Sequence, residues 1–218
     1  MAFPHFLGPA TALGLSATPS ARATTGLGGL APSSQTLTFS IQKQLQTNWC
    51  WAAVSTSVSH FYNAASTWTQ CKVANQAWGR KDCCSDPAAA SDVNRCNAPW
   101  YLDRALTITG NLDRVELRSL TFNEIQSEIG AKKPIGVRVG WYGRGGHFLV
   151  IRGWIVGETG TEYIELADPI YLNSQIPYAD FASSYQSGGD WTTSYLTQAV
   201  MAVARAAGAA FDPSMIGA

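Results

Sequence analysis

44-QLQTNWCWAAV-54 sets a single cysteine, Cys50, between Trp49 and Trp51, immediately before a run of small residues. The pattern predicts a helix from Trp49 to about Tyr62, capped by Asn48, with Val54, Val58 and Phe61 facing inward. As the second residue of such a helix, Cys50 would lie beside unpaired backbone N–H groups and the positive end of the helix dipole. Both favour negative charge on the sulfur, so a thiol placed there is a candidate nucleophile. Taken alone, a cysteine between tryptophans also fits an ordinary core residue.

Outward from this segment, the 218-residue chain has room for one domain of ordinary size, or one domain with a tail. Hydrophobic residues make up 46%, enough for a core, and charged residues only 14%. Fifteen basic and fifteen acidic side chains cancel, so no charge excess points to nucleic acid or an anionic membrane. No apolar run approaches the ~20 residues of a membrane-spanning helix.

Residues 1–36 are rich in Gly, Ala, Ser, Thr and Pro and read as a disordered leader or an export segment. Ala21-Arg22-Ala23 fits a cleavage pattern, although no Lys or Arg precedes the apolar stretch and prolines interrupt it. The folded domain is expected over residues 37–203, with an Ala-rich tail over 204–218. Leu37–Ile41 alternates like a short strand. A second helix is expected over Thr69–Trp78. Thr121 and Glu124 form a capping box for a helix over about 122–129, stopped by Gly130. From Pro134 the chain becomes β-rich, with strands over Ile135–Trp141, Phe148–Val156 and Glu162–Ala167 and a last one over Tyr195–Val203. Helices first and a sheet second predict an α+β fold of two lobes.

The second lobe supplies partners for the thiol. In 145-GGHFLVIRGW-154, His147 opens a strand directly after two glycines, and in 164-IELADP-169, Asp168 closes the next one. The intervening 157-GETG-160 suits a hairpin turn. If Val156 pairs with Thr161, His147 faces position 170, a diagonal step from Asp168 on the same sheet face. An imidazole oriented by a carboxylate, joined to an activated thiol, is the constellation of nucleophilic catalysis. Trp51, Trp141, Tyr142 and Trp154 are candidates to line the cleft or to fill the core, and His60 reads as structural.

Gln44, followed at the sixth position by Cys50-Trp51-Ala52-Ala53, resembles the active-site segment of papain-like cysteine peptidases. That resemblance implies Cys50 as nucleophile, Gln44 with the backbone N–H of Cys50 as the oxyanion hole, and His147 as the family's histidine. Asp168 takes the place that Asn has in papain, which is similar to bacterial branches such as bacteriocin-processing peptidases and effector proteases of plant pathogens. The segment 178-YADFASSYQSGGDWTTSYLT-197 resembles the closing part of those domains. The chain lacks the first cysteine of papain's Cys-Gly-Ser-Cys-Trp segment, and Gln42 and Gln46 are alternatives to Gln44 as oxyanion donor.

Four further cysteines, Cys71, Cys83, Cys84 and Cys96, form a group. Cys83 and Cys84 are adjacent and do not suit a mutual bridge, which leaves two pairings. The spacing of a zinc site is absent. Free thiols are the alternative; disulfides here would imply an oxidising compartment or export, and the resemblance implies export from a bacterial cell. The expectation is a monomeric cysteine peptidase acting on protein or peptide substrates without a cofactor or metal. Acyl transfer of the transglutaminase or deamidase kind, and an inactive binding module, are the alternatives.

Overall fold

The computed structural model describes residues 33–200, apart from Arg144. The leader over 1–32, the end of the expected last strand and the tail over 204–218 lie outside the described residues. Chain order is β1 (Ser33–Thr36), α1 (Cys50–Tyr62), α2 (Gln70–Ala77), α3 (Pro87–Ser91), α4 (Leu102–Thr109), β2 (Leu112–Glu116) and α5 (Phe122–Gly130). It continues through β3 (Ile135–Trp141), β4 (Gly145–Val156), β5 (Glu162–Asp168), β6 (Leu172–Pro177), α6 (Tyr178–Gly188) and β7 (Asp190–Thr197). The fold is α+β: a helical half, and an antiparallel sheet of order β2-β7-β3-β4-β5-β6 with β1 beside β4. Among the described residues no helix is long and apolar enough to cross a membrane.

The helical half is built around α1. Every residue from Cys50 to Ser59 is buried, so the helix is enclosed on all sides rather than on the one stripe of Val54, Val58 and Phe61. Buried serines make this possible by satisfying their hydroxyls locally. Ser57 Oγ donates to the Ala53 carbonyl and accepts the Gln42 N–H, and Ser59 pairs with Ser66. The helix packs against α2, α4 and strand β4. Helix α2 starts as expected, with the Thr69 hydroxyl accepting the Lys72 N–H.

Several expected boundaries move, that of the last strand among them: β7 begins at Asp190 rather than Tyr195, and residues 198–200 are not strand. The chain pairs with the sheet at Ser33–Thr36, against Gly153–Val156 of β4, where β3 has already ended. The expected strand at Leu37–Ile41 is irregular, although Leu37 N still donates to the Arg152 carbonyl. Strand β1 thus lies in the last four residues, 33–36, of the segment read as leader. The capping box at Thr121 and Glu124 is present with both reciprocal bonds, but Gly130 is the last helical residue rather than the stop. The turn after α5 places Lys132, at φ 63°, in the left-handed region.

Strands β3 to β5 carry the site. The hairpin between β4 and β5 starts with Val156 opposite Glu162, one residue from the expected register. A bulge between Ile151 and Gly153 then absorbs one residue, so Ile151 faces Leu166 and Val150 faces Ala167. Continued to the strand end, that register sets His147 opposite position 170, as the sequence implied. The glycines before His147 have separate reasons. Gly145 adopts φ 86°, and a Cβ on Gly146 would come 2.7 Å from the Arg138 guanidinium.

Candidate active site

The cysteine segment is held by a short stretch of the helical half, residues 96–98. Trp49 Nε1–H donates to the Cys96 carbonyl at 2.7 Å, and Trp51 Nε1–H donates to the Ala98 carbonyl at 3.2 Å. Between them Asn97 brackets Asn48: its Oδ1 accepts the Asn48 N–H at 2.9 Å, and its carbonyl accepts Asn48 Nδ2–H at 2.8 Å. Both tryptophans are fully buried, and Trp51 lies edge-on to Trp100 and Trp78. The tryptophans around Cys50 are therefore anchors, each with its polar atom satisfied.

Asn48 is not the helix cap. Its side chain is committed to Asn97, and α1 starts at Cys50, with Trp49 as a cap residue that makes no side-chain capping bond. Cys50 is thus the first helical residue, one position earlier than expected. Its backbone N–H has no acceptor among the described residues, as the opening turn of a helix requires.

From the sheet half, His147 and Asp168 meet as the register requires. His147 Nε2 and Asp168 Oδ2 are 2.9 Å apart, and the Cys50 thiol lines the same cleft as this imidazole. With Nε2 on the carboxylate, Nδ1 is the ring nitrogen left for sulfur. Cys50 and His147 each retain 8% exposure, while Asp168 has none. Burial alone would depress the His147 pKa; the side chains of Asp168 and Cys50 outweigh it and raise the pKa to about 9. Burial likewise opposes ionisation of Asp168, but the His147 partner and the backbone N–H groups of Ile170 and Tyr171 hold its pKa below the ordinary value.

Asp168 is satisfied on both oxygens. Oδ1 accepts the N–H of Ile170 at 2.6 Å and of Tyr171 at 3.0 Å, the first donors available after Pro169. Oδ2 accepts the Tyr185 hydroxyl at 2.8 Å besides His147. Sequence reasoning missed Tyr185 and Asn97. The one prior signal was that the segment containing Tyr185 resembles a known closing segment.

Cys50 and His147 open onto a cleft of about 420 Å³ between the halves, with Cys50, Trp51 and Trp100 on one wall and His147, Trp141 and Tyr171 on the other. Of the four candidate aromatics, Trp51 and Trp141 line it. Tyr142 is fully exposed at a hairpin tip, and Trp154 packs edge-on to Phe122. His60 bonds to the Trp68 carbonyl, a structural contact. Gln44 sits behind the wall, in a depression shared with Pro169 and Ile170. Its Nε2 donates to the carbonyls of Gln46 and Thr47, while its buried Oε1 has no partner. The Gln44 N–H donates to the Pro169 carbonyl, so the cysteine loop is tied directly to the aspartate loop. Gln42 bonds to Ser57 and Gln70, away from the cleft.

The remaining cysteines pair as Cys71–Cys84 and Cys83–Cys96, leaving Cys50 as the free thiol. Among the described residues, Asp82, Cys83 and Cys96 alone cluster at metal-ligand spacing, and both of those sulfurs are in a disulfide.

The α+β fold of two halves and the thiol-lined cleft between them define a papain-like cysteine protease. The chain belongs to the family of the papain-like cysteine protease AvrRpt2, whose sequence pattern matches residues 32–186. No curated protein matches it. It is accordingly a cysteine-type peptidase, a hydrolase with protein substrates.

Proposed function

We propose that the chain hydrolyses peptide bonds through Cys50, His147 and Asp168, by way of a thioester acyl-enzyme. His147 Nδ1 takes the thiol proton, and Asp168 holds the resulting imidazolium through Nε2–H. The sulfur attacks the scissile carbonyl carbon, and the oxyanion receives the free N–H of Cys50. Gln44 supplies a second donor by turning one N–H from a loop carbonyl onto the oxyanion. Collapse breaks the C–N bond as His147 protonates the leaving amine. Water, deprotonated by His147, then cleaves the thioester and restores the thiol.

The observation that carries this reading is the buried His147–Asp168 pair at 2.9 Å in the cleft that the free Cys50 thiol also lines. The two disulfides beside a free thiol support export to an oxidising compartment. Mass spectrometry of a protein or peptide substrate tests the chemistry. Fragments with the wild type and none with a folded Cys50→Ala variant are expected. Deamidated or cross-linked products instead of fragments, or cleavage retained by Cys50→Ala, would refute it.

A further inference from the structure

Asp168 has no contact with solvent, yet it must remain an anion facing His147. The two backbone N–H groups satisfy Oδ1 but leave Oδ2, the oxygen that serves His147, dependent on a second donor. That donor is the Tyr185 hydroxyl at 2.8 Å. Resting on the catalytic reading above, we propose that Tyr185 is a positioning residue for the reaction, fixing Asp168 Oδ2 on His147 and keeping the carboxylate ionised.

The backbone around Tyr185 is shaped to deliver that hydroxyl. Helix α6 loses helical geometry at Tyr185, where ψ is 129°. Gln186 and Ser187 follow with φ of 44° and 70°, left-handed values that side chains other than glycine adopt only when their surroundings impose them. Reciprocal bonds close the turn: Tyr185 N–H to the Gly189 carbonyl at 3.1 Å and Gly189 N–H to the Tyr185 carbonyl at 2.7 Å. Trp141 Nε1–H donates to the Gln186 carbonyl at 3.3 Å, joining the turn to the cleft wall. The Tyr185 ring lies edge-on to Phe181, which also packs on Trp191. A regular helix end would keep the Phe181 contact, an i, i+4 pair, but would lack the closing turn and the bond from Trp141.

Tyr185 stays a donor at any working pH. Burial, followed by the Asp168 charge, pushes its own ionisation far above the ordinary tyrosine value. Titratable groups around Asp168 come from each neighbouring element: His147 on β4, Tyr185 on α6, Tyr171 in the following loop and Cys50 beyond the imidazole. Among the described residues His147 is the one basic group within 4.0 Å of the carboxylate. Removing the phenol hydroxyl takes a charge-assisted bond from the carboxylate and raises the pKa of Asp168. Activity that needs the ionised form then fails at a higher pH on the acid side.

The test compares wild type, Tyr185→Phe and Cys50→Ala in peptide-cleavage kinetics across pH, with thermal unfolding of each. Tyr185→Phe should lower kcat about tenfold with KM within about twofold, and move the acid limb of kcat up by about one pH unit. Wild-type kcat with an unmoved acid limb would overturn the proposal. So would a fall in kcat that comes with a lower unfolding midpoint and an unmoved limb, which is a packing effect. If Tyr185→Phe does not fold, proton NMR of the wild type decides. A slowly exchanging Tyr185 hydroxyl proton supports the bond, and fast exchange overturns it. Cleavage retained by Cys50→Ala would instead sink the underlying assignment of the nucleophile, so the two failures are separable.

Discussion

In the sheet half, His147 and Asp168 stand on neighbouring strands whose relative position is fixed by continuous backbone pairing from β3 through β6. In the helical half, Cys50 stands at a helix start held from outside, by two indoles and Asn97 on the segment 96–98. That segment is itself secured by the Cys83–Cys96 disulfide, in a stretch where α3 spans only Pro87–Ser91. The contrast teaches where geometry is stored. Pairing register positions the acid–base pair with no cross-link, whereas the nucleophile borrows its precision from covalent ties and side-chain bonds.

Changes to the carboxylate should break the chemistry of the sheet half with little cost to the helical half. Asp168→Ala removes the acceptor of His147 Nε2–H and leaves the N–H groups of Ile170 and Tyr171 unpaired, so kcat should fall about 10³-fold or more, measured by peptide-cleavage kinetics. The helical half should respond in the opposite currency, losing stability first. Replacing Cys83 and Cys96 by Ser should cost about 2–5 kcal/mol in denaturant unfolding, with activity lost as the 96–98 segment loosens. Equal stability in the double variant would show that Asn97 and the tryptophans suffice.

A pH series sharpens the comparison further. The His147 pKa is raised from 6.5 to about 9, so its ionised form contributes stability fully below about 6.5 and loses it as pH rises through about 9. The unfolding midpoint of the wild type should therefore decline over that window relative to His147→Gln, as differential scanning calorimetry would record. The smallest effect lies far from the cleft. Thr121→Ala removes the reciprocal cap of α5 and should cost about 1 kcal/mol with kcat unchanged.

Local rules read the chain well where a local interaction decides. The capping box at Thr121 and Glu124 is legible because donor and acceptor lie within one turn. Strands β3 to β5 are legible from β-branched runs, and the register placing His147 near Asp168 follows from the hairpin. Even there the bulge at Ile151–Gly153 was needed to cancel an error at the turn. Asn48 misled because it is a good cap by type, and its partner Asn97 lies 49 residues away. Tyr185 was invisible for a related reason. Its turn contains two non-glycine residues in left-handed conformations, which no propensity predicts. The site residues came through their chemistry, and the groups that hold them came only with tertiary structure.

The account rests on Cys50 and His147 acting as one unit, and the pH dependence of Cys50 alkylation tests it most directly. A thiol-reactive epoxide should label Cys50 rapidly at pH near 5 in the wild type, and slowly in a folded His147→Ala variant. Labelling that climbs only above about pH 8, as for a free thiol, and is the same with and without His147, would contradict it.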